Sequence, residues 1–167
     1  MESQQDESAH LASGAVLLPP GAGATLTNPV GATTTIKLRG SETGGALGAC
    51  EGSAAPGEGP PLHFHTGYDE IWYAVEGEFR FRLEDEVAPG PPGSFVFIPR
   101  GVRHTWQNIG ESVGRFFFVV APAGFELFFE RFAEAPRDPS WLETFRTVGR
   151  EFGMEVVGPP LAESHPL

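Results

Sequence analysis

Lysine is almost absent from this chain. Of its 11 basic residues only Lys37 is a lysine, and they face 22 acidic residues, for a formal charge of -11. No basic patch is available to neutralise phosphates, which excludes nucleic acid as a partner and disfavours anionic membrane surfaces. A single cysteine, Cys50, excludes an internal disulfide framework and is compatible with a reducing cytosol. No apolar run reaches the length of a membrane span, and the N-terminal MESQQDESAH has neither the basic nor the apolar region of a signal peptide. Together these absences predict a soluble, cytoplasmic protein. Histidine is scarce as well, with five in 167 residues, and three of the five stand at 63, 65 and 104.

What the chain does have is aromatic and turn-forming residues. Apolar residues make up 40% of it, with 14 Phe and 3 Trp, enough for a sizeable core. Gly (22) and Pro (16) recur between short apolar runs, the signature of many short strands joined by turns. AVLL, TTTIKL and ALGACE read as strands, SAAPGEGPP (53–61) as a loop, and LHFH, EIWYAVE and EFRFRL as three further strands. The last two are joined at Glu76-Gly77-Glu78, a tight hairpin signal. In FRFRL, Phe79, Phe81 and Leu83 take one face and Arg80 and Arg82 the other. EDEVAPGPPG (84–93) reads as a loop, after which SFVFIP, HTWQN and RFFFVVAP complete the β part.

The pattern changes after Pro122. Phe125, Phe128, Phe129 and Phe132 fall at helical spacing, and Pro136 ends that helix. A second helix is predicted with Asp138 as N-cap, Pro139 at its first position, Gly153 at its end, and a stripe of Trp141, Phe145, Val148 and Phe152. The expectation is a closed or sandwich-like β domain spanning 13–167. The barrel runs to about 122, a helical extension packed on its outside covers 123–156, a tail covers 157–167, and residues 1–12 form a mobile N-terminal tail.

HFHTGYDE (63–70) carries the chemistry. Residues i and i+2 of a strand share a face, so His63 and His65 project together, about 7 Å apart along the backbone. Thr66-Gly67-Tyr68 is turn-like, and Glu70 begins a neighbouring strand within reach of the same point. His104 follows the rigid IPRG turn (98–101). Three neutral imidazoles and a carboxylate form a mixed nitrogen and oxygen set suited to one divalent transition metal: Fe, Mn, Co, Ni, Cu or Zn. A lone histidine in a β protein is more often a packed or surface residue than a ligand, so it is the surrounding pattern that counts.

That pattern resembles the cupin superfamily. Gly57, His63, His65, Glu70 and Gly77 match its first motif in type and spacing; Gly93, Pro99, Gly101, His104 and Asn108 match the second. The two span 57–108, with a short intermotif stretch from Glu78 to Pro92. The GMEVVGPPL ending (153–161) is loosely similar to small single-domain cupins related to quercetin dioxygenases. The resemblance implies an all-β double-stranded β-helix (jelly-roll barrel) with two C-terminal helices. It also implies a metal held by His63, His65, Glu70 and His104, and a homodimer.

Read from the residues, Gly77 and Gly101 serve turns, and Asn108 ties backbone together rather than touching substrate. Period-two projection points Trp72, Ala74 and Glu76 inward from Glu70, and Trp106 and Asn108 inward from His104. Trp72, Trp106, Phe81 and Phe97 are the expected substrate-binding residues; a single aromatic in a small barrel is more often core, and Trp72 and Trp106 are the exceptions because each lies two residues beyond a ligand on the same strand. Ile71, Tyr73 and Val75 point outward and need cover from helices or a second subunit. The leading functional expectation is a metal-dependent dioxygenase acting on a small phenolic or enolic molecule, with Glu70 as base. The alternatives are a non-redox cyclase, isomerase or lyase, and a small-molecule-binding cupin without turnover.

Overall fold

The computed structural model describes residues 9–10, 14–138 and 140–167. Its strands are β1 (Ala9–His10), β2 (Val16–Leu17), β3 (Ala24–Thr27), β4 (Thr33–Leu38), β5 (Gly48–Ala54), β6 (Pro61–His65) and β7 (Asp69–Glu76). Then come β8 (Phe79–Leu83), β9 (Glu86–Gly90), β10 (Phe95–Ile98), β11 (His104–Asn108) and β12 (Gly114–Ala121). Helices α1 (Glu126–Ala133) and α2 (Trp141–Glu151), strand β13 (Met154–Pro160) and the short α3 (Leu161–Ser164) end the chain. Of the expected N-terminal tail, Ala9–His10 pair with Val16–Leu17, and the remainder lies outside the described residues.

A six-stranded sheet in the order β10-β7-β12-β5-β4-β3 faces a five-stranded sheet in the order β13-β6-β11-β8-β9. This is the double-stranded β-helix. The two meet over an aromatic floor. Trp72 of β7 stacks on Phe116 of β12 at 4.4 Å and meets Phe79 and Phe81 of β8 edge-on, at 5.0 and 4.8 Å. Such offset and edge contacts add to the area term that drives burial.

Two local expectations change once the sheets close. Glu76-Gly77-Glu78 is not a hairpin, because β7 and β8 belong to different sheets. Their inward residues face one another across the core, which no side-by-side pair can do. Gly77 makes this corner with φ of +92°, and a Cβ there would lie 2.6 Å from Gly114 Cα, so both dihedral and space demand glycine. Likewise β7 does not lie beside β6; residues 66–68 carry the chain across to the opposite sheet. The 84–93 segment is not all loop. It contains β9, which pairs with β8 and tolerates Pro89 because it is the edge strand.

The C-terminal end differs most. The second helix has Ser140 as N-cap, while Asp138 Oδ1 accepts from the Ser140 backbone N–H just before it; Pro139 lies outside the described residues. The helix stops at Glu151, and Gly153, at φ of +72°, turns the chain back. Residues 154–160, expected as helix end and tail, form β13, which pairs with β6 through Met154↔His65 and Val156↔His63. The open edge of β6 offers unpaired backbone groups that β13 satisfies. Nor do the helices sit on the barrel's outside. α1 packs on β3 and β5 of one sheet and α2 on β13 of the other, so the pair spans the open side between the sheets.

Asn108, fully buried, is the knot of the second motif. Its Nδ2 donates to Ala54 O at 2.9 Å and Ser112 O at 2.8 Å, and its Oδ1 accepts from Gly110 N at 2.9 Å. At roughly 0.5–1.5 kcal/mol net per bond, Asn108→Ala should cost about 2–4 kcal/mol. For a chain of this size that is a melting midpoint lower by about 5–15 °C. A thermal melt that leaves the midpoint unchanged would refute this role.

Candidate metal centre

His63 and His65 sit on β6 and His104 on β11, where His104 is the register partner of His63. Glu70 arrives from the opposite sheet, at the start of β7. All four are buried. The three histidines can offer ligand atoms that lie within 4.8 Å of one another. Glu70 Oε2 stands 3.1 Å from His65 Nε2 and 3.3 Å from His104 Nε2.

The hydrogen bonds show which nitrogens are available. His63 Nδ1 lies 2.7 Å from Pro61 O, and His104 Nδ1 lies 2.9 Å from Val102 O. A carbonyl can only accept, so each Nδ1 carries the proton and each Nε2 presents a lone pair. This is the orientation that outer-shell carbonyls impose on metal-binding imidazoles. His104 Nε2, despite the nearby carboxylate, makes no hydrogen bond, nor does His65 Nδ1; both are buried. Burial holds His63 well below the usual histidine range, and the neighbouring His104 and His65 push the same way, so its lone pair is free at neutral pH. Burial alone would raise the Glu70 carboxyl, but the His104 and His65 rings beside it, 3.3 and 3.1 Å from Oε2, outweigh it and hold the group well below the ordinary range. The donor set fits a divalent transition metal. Cys50 does not join it: burial first, then Glu126, push its thiol far up, so it carries no thiolate.

Contacts that sequence reasoning missed hold the ligand-bearing turns. The Arg100 guanidinium grips both Asp69 oxygens at 3.1 Å, its backbone N–H donates to Asp69 Oδ1 at 2.9 Å, and Gly101 N donates to His65 O at 2.7 Å. The IPRG turn before His104 is thus tied to the residue before Glu70 and to the backbone of His65. Arg103 donates to Glu84 from its backbone N–H and its Nε. Glu126, buried at the start of α1, accepts from Gly40 N and Gly124 N and anchors that helix. The Asp69–Arg100, Glu84–Arg103 and Gly40–Glu126 partners are 31, 19 and 86 residues apart in the chain, and no local pattern signals them.

His63, His65 and Glu70 line a cavity of about 390 Å³. That is ordinary for a small-molecule site. Trp72 and Trp106 line it. Phe81 is fully buried behind Trp72 and is core, and Glu76 is exposed. Phe97 is a correction: it is 55% exposed on the outer surface. It stands opposite the outward-facing Ile71 in the β10–β7 register, and paired residues share a face. The rest of the lining includes Phe116, Phe118, Phe125 and Phe128 from the barrel and α1, and no lysine or arginine.

The chain is similar in sequence and in fold to known proteins. Protein SchB of Streptomyces halstedii is 34% identical over 82 residues, 48% of this chain and 59% of that protein. The tetracenomycin polyketide synthase protein TcmJ of Streptomyces glaucescens is 34% identical over 80 residues, 48% of this chain and 52% of that protein. The chain thus spans little more than half the length of these relatives. An RmlC-like cupin of Shewanella frigidimarina superposes with a TM-score of 0.57 at 18% identity, over 66% of this chain and 94% of that one. The model of the cupin domain family matches residues 52–120, which hold both motifs and all four candidate ligands. Residues 52–120 therefore match the cupin domain, and the two sheets around them have the double-stranded β-helix fold of that cupin structure.

Proposed function

We propose that this protein is a metal-dependent enzyme acting on a neutral enolic or phenolic molecule, with Glu70 as the base. One observation carries this reading: three histidines and a carboxylate converge at an aromatic cavity without a cationic side chain. Beyond the metal itself, a phosphate or dicarboxylate substrate would find no cationic side chain among the described lining residues, and Glu58 and Glu163 would repel it.

His63, His65 and His104 would hold the metal, with Glu70 as fourth ligand or as base beside it. When bound, a divalent ion acts as a Lewis acid on a substrate oxygen. The chain's own part is to position and to move a proton. Trp72 and Trp106 confine the ring and exclude water, and the Glu70 carboxylate accepts the enolic or phenolic proton.

With dioxygen as co-substrate the protein is a dioxygenase, the reading expected from the sequence. The polyketide synthase protein named among its relatives favours a second one, ring closure or isomerisation of a polyketide-like enol without oxygen. Anaerobic metal analysis followed by oxygen uptake with flavonols and other enolic phenols separates them. Uptake with a redox-active metal supports the dioxygenase, conversion without uptake supports the second reading, and ligand binding with no conversion refutes both.

We also propose a homodimer. Tyr73, Val75, Phe95 and Phe97, between 42% and 64% exposed, form an apolar face on β7 and the edge strand β10. Such a face is unusual for a monomer, and a second copy should bury more than about 1,000 Å² there. Sedimentation at micromolar concentration should give a dimer that Phe95→Glu converts to monomer; a wild type that sediments only as monomer excludes it.

A further inference from the structure

Phe125, Phe128 and Phe132 read in the sequence as the core-facing stripe of a helix. In the structure they also extend the cavity. The His65 ring meets the Phe125 ring edge-on at 4.5 Å. Phe125 and Phe128 stack at 5.0 Å with 3° between planes, and Phe128 and Phe132 at 5.4 Å with 15°. Phe145 of α2 closes the series edge-on to Phe132 at 5.3 Å. An unbroken run of aromatic rings therefore leads from a candidate metal ligand out between the helices. Trp141 lines the same cavity, so every tryptophan of the chain does.

We propose that α1 and α2 build an outer aromatic subsite, continuous with the metal centre, that takes the far rings of a neutral, planar, multi-ring ligand. The proposal rests on the reading of the cavity as the ligand site and adds the ligand's size and shape to it.

Size is the first argument. An apolar cavity of roughly 150 Å³ is enough for benzene, and this one, at about 390 Å³, exceeds a single ring more than twofold. Polarity is the second. Apart from His63, His65 and Glu70, the polar side chains of the lining are few, Asn28, Thr33, Thr34, Ser53, Glu58 and Glu163, and its Phe and Trp side chains number ten. A ligand with one oxygen for the metal centre and an apolar aromatic body matches that lining. Ring geometry is the third, since stacked and edge-on side chains present faces and edges to a flat aromatic body and gain less from a flexible alkyl chain. The subsite is separate from the cupin domain itself: the family match ends at residue 120, before α1 begins at Glu126.

The test uses the metal-loaded full chain and three probes: phenol, 1,8-dihydroxyanthraquinone and 1-decanol. Affinity for the aromatic probes is read from quenching of tryptophan fluorescence, and decanol from its ability to displace the anthraquinone. The anthraquinone should bind at least about tenfold more tightly than phenol, and decanol should compete poorly. Trp141→Ala, a half-buried position, should weaken the anthraquinone by about tenfold and leave phenol within about twofold. Phe129→Leu, which nearly keeps side-chain volume, should do the same to a smaller extent, and Trp72 and Trp106 still report in both variants. Equal losses for phenol and anthraquinone, or displacement by decanol at the same concentration, would overturn the subsite while leaving the cavity as a ligand site. If neither aromatic probe binds the wild type, the cavity is not a ligand site, and the subsite falls with it.

Discussion

His104→Ala should strip the protein of its metal. The ring is fully buried, its Nδ1 is fixed by Val102 O, and its Nε2 faces the other ligands without a hydrogen bond of its own. Loss of outer-shell partners alone weakens metal sites by about 10- to 100-fold, so loss of a ligand should exceed about 100-fold. Competition against a chromophoric chelator measures this directly. A second consequence follows from linkage. A metal present at about 100 times its dissociation constant stabilises the fold by about 2.7 kcal/mol, a rise in melting midpoint of about 5–10 °C for a chain of this size. The wild type should show that rise on adding Ni²⁺ or Co²⁺, and His104→Ala should not. Equal metal content and equal upshift in both proteins would exclude His104 as a ligand. Folding of the variant is checked by its circular dichroism without metal, which should match the wild type.

Glu70→Gln should separate binding from turnover. The substitution keeps size and an oxygen donor but removes charge and basicity. Glu70 reaches the centre from the opposite sheet, while the three histidines are held by β6 and β11. Their arrangement does not depend on it. Metal affinity should therefore fall by no more than about 10- to 100-fold, and at saturating metal the site should fill. Turnover should fall by about 100-fold or more, the contribution of a positioned base. The Gln side chain can donate to His65 Nε2 or His104 Nε2 but cannot accept a proton from substrate. A fully loaded variant with near-normal turnover would show that Glu70 is a ligand and not the base.

Strand spacing and residue chemistry decide much of this protein before folding is considered. Two histidines two residues apart on a strand share a face in any sheet, so the convergence of His63 and His65 is a local fact. The turn before His104 is local too, and so is the demand for glycine at Gly101, whose φ is +84°. The role of Asn108 could be read from its neighbourhood of turns, because a buried amide must satisfy both its donor and its acceptor.

What the sequence left open depends on which strands meet. A period-two pattern says that two faces differ, and not which sheet a strand joins. Glu76-Gly77-Glu78 therefore reads as a hairpin, although the closing of two sheets makes it a corner. Phe97 shows the same limit from the other side. Its alternation is the same whether it points in or out, and only its pairing opposite Ile71 turns it outward. The stripe Phe125, Phe128 and Phe132 says that one side of α1 is buried, but burial against a sheet and burial along a cavity look alike in one dimension. By itself the sequence determined the shared face of His63 and His65 and the strand-rich class, because both rest on contacts within a few residues. The depth of the cavity, the sheet that brings Glu70 to the histidines and the placement of α1 and α2 over the open side were decided only in three dimensions, by pairings between segments distant in the chain.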